Sequence, residues 1–208
     1  MPETSASHGL HRPSKAEALR VLATSLAGWA TRRPLPEQAD GVSRFAHSSE
    51  ARQTVTLLAV LEAVLACCVS AMLPPALRAW HAAFEALLVL SGFGAVAAMA
   101  RHPHLVSPSR LVLRTGCFGG LTLPGTAVVS VSRAARTVAG LGIRPVPGEP
   151  RAVACAAGSA VDLCLRLDPP VVLDLGKAGA TEVDTVYVSA DAPDAFACAV
   201  REAGASRR

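Results

Sequence analysis

Residues 55–73 read VTLLAVLEAVLACCVSAML and residues 79–99 read AWHAAFEALLVLSGFGAVAAM, with PPALR at 74–78 between them. A helix needs roughly 20 mostly apolar residues to cross a hydrocarbon core of about 30 Å, and both runs meet that length. A helix pair buried in a soluble protein keeps a polar stripe on its outward face, whereas these two are apolar nearly all round. The expectation is a transmembrane helical hairpin over 53–100, with spans 55–73 and 79–99. Pro74 and Pro75 mark the turn, since proline cannot continue a helix and biases the residue before it away from helical geometry.

Composition agrees with that placement. Only 17% of the 208 residues are charged and 51% are hydrophobic. The deficit is local, because Glu62, Arg78 and Glu85 are the only charged side chains between Val55 and Ala100. This excludes a disordered chain and a disulfide-stapled secreted module. Aromatics make up only 4% and the net charge is +4, so a uniformly basic nucleic-acid binder is excluded as well. Arg44 and Arg52 precede the hairpin, Arg101, Arg110 and Arg114 follow it, and the turn offers only Arg78. Basic residues stay on the cytoplasmic side, so a multi-pass protein of the cell inner membrane with both termini cytoplasmic is expected. Nothing resembles a cleavable signal peptide, because Glu17 and Arg20 interrupt the first apolar stretch.

Residues 1–50 read as a mostly disordered cytoplasmic tail, rich in Ser, Pro, His and Arg at 1–13 and 31–50. Within it, Leu19, Leu22, Leu26 and Trp29 recur at helical spacing, which suits an amphipathic helix over 15–30 lying on an anionic leaflet, or a weak helix with no specific role. From His102 the periodicity becomes alternating. RLVLR, LTL, VVSVS, RAVACA, VDLCLRL, VVLDL and VDTVYV, separated by Gly, Pro and Asp turns, argue a β domain over 102–204 of about seven antiparallel strands. A C-terminal helix at 192–203 closes it, capped by Asp191 and ended by Gly204.

The order of hairpin, Arg101-His102-Pro103-His104-Leu105-Val106, RLVLRTG and a closing helix in VSADAPDAFACAVREA resembles a family of uncharacterised actinobacterial two-helix integral membrane proteins. The resemblance covers roughly 45–203. It implies a bacterial pleckstrin-homology-like cytoplasmic domain, a bent sheet closed by a C-terminal helix. The fold class expected is therefore a membrane α-helical hairpin plus an all-β, pleckstrin-homology-like domain.

Glu62 and Glu85 are the most unusual residues, since an ionisable group inside a membrane helix is expensive and points to function. They lie about 18 Å and about 15 Å from the proline turn, at similar depth. Three roles fit: a shared-proton hydrogen bond holding the hairpin or a dimer, contact with a membrane partner, or an ion or proton path. Small residues at spacing four, Ala59, Ala63 and Cys67, then Gly94 and Ala98, either let helices approach closely or reflect an alanine-rich composition. Residues 101–150 hold six basic side chains against Glu149 alone, so Arg101, Arg110, Arg114, Arg133 and Arg136 are candidates for anionic-lipid contact, with Arg144 beside them.

No nucleophile elbow, Walker loop, dinucleotide fingerprint or metalloprotease helix occurs. The six cysteines lack zinc-type spacing and read as reduced, buried apolar residues, and His102 and His104 read as linker histidines. The functional expectation is a non-enzymatic, membrane-anchored interaction or scaffold protein without cofactor or metal. Its partners are anionic lipid and a protein, or a second copy, bound through the hairpin. The alternative is an accessory subunit of a transport or envelope complex that uses Glu62 and Glu85.

Overall fold

The computed structural model describes residues 9–35, 41–176 and 179–205. Strand β1 (Gly9–His11) leads to helix α1 (Lys15–Ala30), and β2 (Ser43–Phe45) leads to the hairpin helices α2 (Ser49–Met72) and α3 (Pro75–Arg101). Strands β3 (His104–Val106), β4 (Arg110–Arg114), β5 (Gly120–Pro124), β6 (Val128–Thr137), β7 (Gly142–Val146), β8 (Glu149–Ala156), β9 (Ala160–Asp174) and β10 (Ala180–Val188) follow, and α4 (Pro193–Ala205) closes the chain.

Two helices are thus long and apolar enough to cross a membrane. α2 starts before its apolar run and ends one residue short of Leu73, α3 extends past its run at both ends, and the connection is tighter than PPALR suggested. Pro75 sits in the first helical turn, where its missing N–H costs no hydrogen bond, so α3 begins at once. Arg78 Nε donates to Leu73 O at 2.9 Å and satisfies a carbonyl at the end of α2. Gly92 lets α3 approach α2, since a Cβ there would lie 3.1 Å from Ala59 Cβ. Gly94, by contrast, meets Leu22 of α1. Its role in the small-residue pattern is to seat a third helix.

The β strands form two five-stranded sheets, ordered β1-β5-β4-β3-β2 and β6-β9-β10-β8-β7. Leu111, Leu113, Leu121 and Leu123 from the first sheet face Leu163, Leu165, Val183, Val186 and Val188 from the second, and Phe196 of α4 is fully buried among them. Alternation in RLVLR, LTL and VDLCLRL aims these side chains inward, as a half-buried strand requires. The other face of the second sheet is covered too, where Ala152, Ala154, Ala156, Val161, Cys164 and Tyr187 pack together. Cys164 is therefore buried on the face opposite Leu163 and Leu165, as the alternation of VDLCLRL places it.

The strand plan differs from the expected one at four points. β8 and β10 pair in parallel, with Val186 opposite Val153, so the second sheet is mixed and not wholly antiparallel. β9 runs unbroken through Asp168-Pro169-Pro170, which forms an irregularity against β10 instead of a turn between strands. β7 occupies Gly142–Val146, a stretch outside the expected strands, and Pro145 is tolerated because β7 is an edge strand. Parts of the supposedly disordered tail belong to the fold: β1 pairs with β5 and β2 with β3, both antiparallel. Residues 1–8 and 36–40 of that tail lie outside the described residues.

α1 forms where the amphipathic helix was expected. A capping box starts it, with Ser14 Oγ accepting from Glu17 N–H and Glu17 Oε2 accepting from Ser14 N–H. Its buried face is not the leucine stripe. Ser25 and Gly28 are buried, while Leu19 and Trp29 remain more than half exposed. Small residues win that face because α1 packs closely on α3.

Arg144 also moves indoors. Its Nη1 donates to Gly142 O and Ala156 O, and its Nη2 to Val138 O and Gly158 O, at 2.7–3.1 Å. It clamps the ends of β6, β7 and β8 and is not free for lipid. Removing the guanidinium leaves four carbonyls without that donor, so Arg144→Met is expected to lower unfolding stability by about 3 kcal/mol in chemical denaturation. A loss under about 1 kcal/mol would mean that water replaces the clamp.

Candidate functional site

The hairpin is turned inside out relative to a soluble helix pair. Met72 is 86% exposed and Trp80 79%, and Leu57, Leu61, Val64, Phe84, Leu87 and Leu90 are exposed beside them. The polar side chains face the seam between the helices. Ser70 Oγ lies 3.0 Å from His81 Nδ1, and His81 Nε2 lies 3.6 Å from Glu85 Oε1. Glu85 in turn faces the carboxyl group of Glu62, so the two groups expected at similar depth do meet. The result is a polar chain of four residues, Ser70-His81-Glu85-Glu62, running between the helices. Ser70 and His81 were not foreseen as part of it. Spacing from the turn gave the depth of the glutamates, but the rotation that brings Ser70 to His81 is set by packing.

At its base the hairpin is locked to the β domain. Phe45 of β2 pairs with His104 of β3, so the strands entering and leaving the hairpin are antiparallel neighbours. The imidazoles of His47 and His104 stack with centroids 4.4 Å apart and planes 17° apart. His104 Nε2 donates to Ser189 O at 3.0 Å, while its Nδ1 accepts from Arg114 N–H at 2.9 Å. A second proton on Nδ1 would point at that N–H. Complete burial, reinforced by the neighbouring His47, pushes the His104 pKa down to about 3. His47 Nε2 donates to His102 O at 3.1 Å, its Nδ1 lies 2.9 Å from Ser48 Oγ, and burial lowers its pKa as well. These histidines are structural parts of the junction, and only His102, bonded to Ala98 O, keeps the simple linker role.

Asp191 completes the lock. Its carboxylate accepts from Ser49 N–H and from Arg52 Nη2, both at 2.8 Å, and Asp191 N–H donates to Ala46 O at 3.0 Å. Thus Asp191 caps the start of α2 and not its own helix, and Gly204 lies within α4 instead of ending it.

The five arginines proposed for lipid contact separate into two groups. Arg133 makes a bidentate pair with Asp194 at 2.8 and 2.9 Å, and Arg136 pairs with Glu149 and donates to Tyr187 Oη. Both are engaged on the β domain by acids, 61 residues away in sequence for Arg133 and 13 for Arg136. Arg101 and Arg114 instead line one cavity at the hairpin base with Arg44, and Arg110 stands exposed at the start of β4. Arg44 and Ser25, which lines the same cavity, were absent from the candidate set.

All six cysteines are free. Cys117, Cys155 and Cys164 are buried, and complete burial pushes the Cys155 thiol up to about 12. Cys67, Cys68 and Cys198 are exposed, the first two on the outward face of α2, so burial does not describe the whole set. Among the described residues no cluster of three or more His, Cys, Asp or Glu is placed to hold a metal ion. Comparison with family models, with curated proteins and with solved structures found no match.

The junction carries a pH signature. With a folded-state pKa of about 3 against 6.5, His104 contributes stability that is fully present above pH 6.5 and is lost as the pH falls below it, by up to about 1.4 kcal/mol per pH unit. Chemical denaturation between pH 7 and 4.5 is therefore expected to show a shallower acid loss in His104→Gln than in wild type. Parallel curves would sink this assignment.

Proposed function

We propose that this chain is a membrane-anchored, non-enzymatic protein whose helical hairpin holds a pleckstrin-homology-like β domain at the cytoplasmic surface of the inner membrane as an interaction or scaffold module. The observation that carries the reading is the inverted hairpin, with large apolar side chains outward and Ser70, His81, Glu85 and Glu62 inward. In water that surface would be costly at about 25 cal/mol per Å² of apolar area, whereas in lipid it is the satisfied arrangement. The short turn and the arginines around the base favour the cytoplasmic placement of the β domain. Two sheets closed by α4 through Phe196 support the pleckstrin-homology-like description, and the parallel β8–β10 pair departs from it.

The lock at the base adds a mechanical argument. His47, His104, Arg52 and Asp191 join both hairpin legs to the domain without a flexible linker, so the domain is held in one orientation to the bilayer. A protein that presents a fixed face to membrane neighbours needs that restriction, whereas a mere tether does not.

A second reading, an accessory subunit of a transport or envelope complex, is favoured by Glu85 Oε2, which is buried and without a partner among the described residues. The two readings divide on Glu62→Gln. The amide keeps a donor and an acceptor, so an anchoring role predicts a hairpin within about 1 kcal/mol of wild type and unaltered cellular behaviour. A proton or partner role predicts loss of function in cells with the protein still folded and in the membrane.

Anchoring itself is tested by alkaline carbonate extraction and by labelling with a membrane-impermeant maleimide. The protein is expected to stay with membranes, with Ala76→Cys in the turn labelled on intact cells and Cys198 on α4 labelled only after lysis. Release by carbonate, or labelling of Cys198 on intact cells, would overturn the placement. A photo-crosslinker at Val129 or Val172, both exposed on the β domain, should capture a protein neighbour if the domain is an interaction module.

A further inference from the structure

α1, the end of α3 and strands β2 to β4 surround a cavity of about 430 Å³. Arg44, Arg101 and Arg114 line it with Ser25, Leu35 and Leu105, and no acidic side chain is among its described lining. Each cation reaches it for a structural reason. Arg101 ends α3 and is fixed by Nη1, which donates to Gly28 O at 3.2 Å and Arg33 O at 2.8 Å. Arg114 ends β4 and is more than half buried, and Arg44 is the middle residue of β2. Burial, and then the like charges of Arg110 and Arg44, hold the Arg114 guanidinium below its ordinary pKa. The charges of Arg101 and Arg114 at a partly desolvated cavity favour an anion there.

A separate observation points to a ligand there. Ser25 is only 4% exposed, and its Oγ has no hydrogen-bond partner among the described residues. Other hydroxyls of α1 behave differently: Thr24 and Thr31 donate to the carbonyls four residues back, Arg20 O and Ala27 O, at 2.7 Å. A buried, unsatisfied hydroxyl is unfavourable unless something accepts its proton. Guanidinium groups match the oxygens of a phosphate in bidentate geometry, and a serine hydroxyl supplies one more donor.

Position selects the source of that phosphate. Arg101 follows directly on the apolar length of α3, at the level where headgroups meet a spanning helix. Leu35 and Leu105 add apolar surface that a free inorganic anion would leave uncovered. We propose that this cavity binds the phosphate group of an anionic membrane phospholipid, with Arg101 and Arg114 on its oxygens and Ser25 Oγ donating to one of them. This rests on the reading of α2 and α3 as membrane-spanning helices.

The test uses the full-length protein, purified and delipidated in a neutral detergent, with its melting temperature followed as phosphatidylglycerol, phosphatidylcholine or inorganic phosphate is added. Phosphatidylglycerol is expected to raise the melting temperature by about 5 °C at a hundredfold excess over its Kd. Phosphatidylcholine, whose choline would face the arginines, should have little effect. Arg114→Gln should weaken the apparent affinity about tenfold, and Ser25→Ala about threefold while leaving the unliganded melting temperature equal or higher. Equal shifts with both lipids, or an unchanged affinity in Ser25→Ala, would overturn the site, and Ser25→Ala decides it if Arg114→Gln does not fold. A full shift from inorganic phosphate alone would overturn the lipid assignment in favour of a free anion. A chain that resists carbonate extraction yet ignores phosphatidylglycerol loses this site and keeps its anchor, whereas a chain released by carbonate loses the anchoring reading first.

Discussion

The pairing of β2 with β3 is the constraint on which the molecule depends. Only three residues contribute on each side, from Ser43 opposite Val106 to Phe45 opposite His104, yet this ladder makes the entire helical hairpin an insertion between two neighbouring strands. Both hairpin legs must therefore leave the β domain side by side. The His47–His104 stack continues the ladder for one more layer, and Arg52 with Asp191 fastens the first turn of α2 to the start of the closing helix. Phe45 and His104 each place a ring edge-on to Phe196, so the same strands that position the hairpin also reach the centre of the core. Hairpin and domain are consequently one packed unit at this point.

Polar groups are handled differently above and below that junction. In the β domain, charged side chains stand outside a leucine and valine core or, like Arg144, donate to backbone carbonyls. In the hairpin the order is reversed, and Ser70, His81, Glu85 and Glu62 face one another across the helix seam. One chain thus carries two opposite solutions to burial, and the change occurs within a few residues of His47 and His102. A change from water to lipid at that place would account for the reversal, which is the physical content of the proposed reading of α2 and α3 as membrane helices.

How much of this was legible from the residues depends on how local each signal is. Length and apolarity of 55–73 and 79–99 needed no partner, so the hairpin was plain. RLVLR and VDLCLRL alternate long enough to declare themselves strands. GLH, SRF and HLV are too short to alternate, and their pairing energy comes from strands elsewhere, so β1, β2 and β3 were hidden. Prolines misled twice: Pro145 disguised an edge strand, and Pro169-Pro170 disguised an irregularity inside β9. Side-chain partners were the least legible, since Arg52 and Asp191 are 139 residues apart, and Arg133 and Asp194 are 61 apart. Charge counting gave a basic stretch correctly but could not tell Arg133, which is paired, from Arg114, which lines a cavity.

That sorting of arginines has its own logic. Away from the hairpin, Arg133 meets Asp194, Arg136 meets Glu149, and Arg151 meets Glu182 and Asp184, so the acids of the later strands and of α4 neutralise the nearby cations. Exposed pairs of this kind add little stability, but they fix where positive charge is cancelled. Around the hairpin base Arg101 from α3 and Arg114 from β4 converge on one cavity without an acidic lining residue among those described. The approach is made possible by Gly28 and Gly94, because a Cβ on Gly28 would lie 3.1 Å from the Arg101 guanidinium and one on Gly94 would lie 3.3 Å from Leu22. Close helix contact and concentrated charge are therefore the same device, since α1 can supply Ser25 to the arginine cavity only because small residues let it settle against α3.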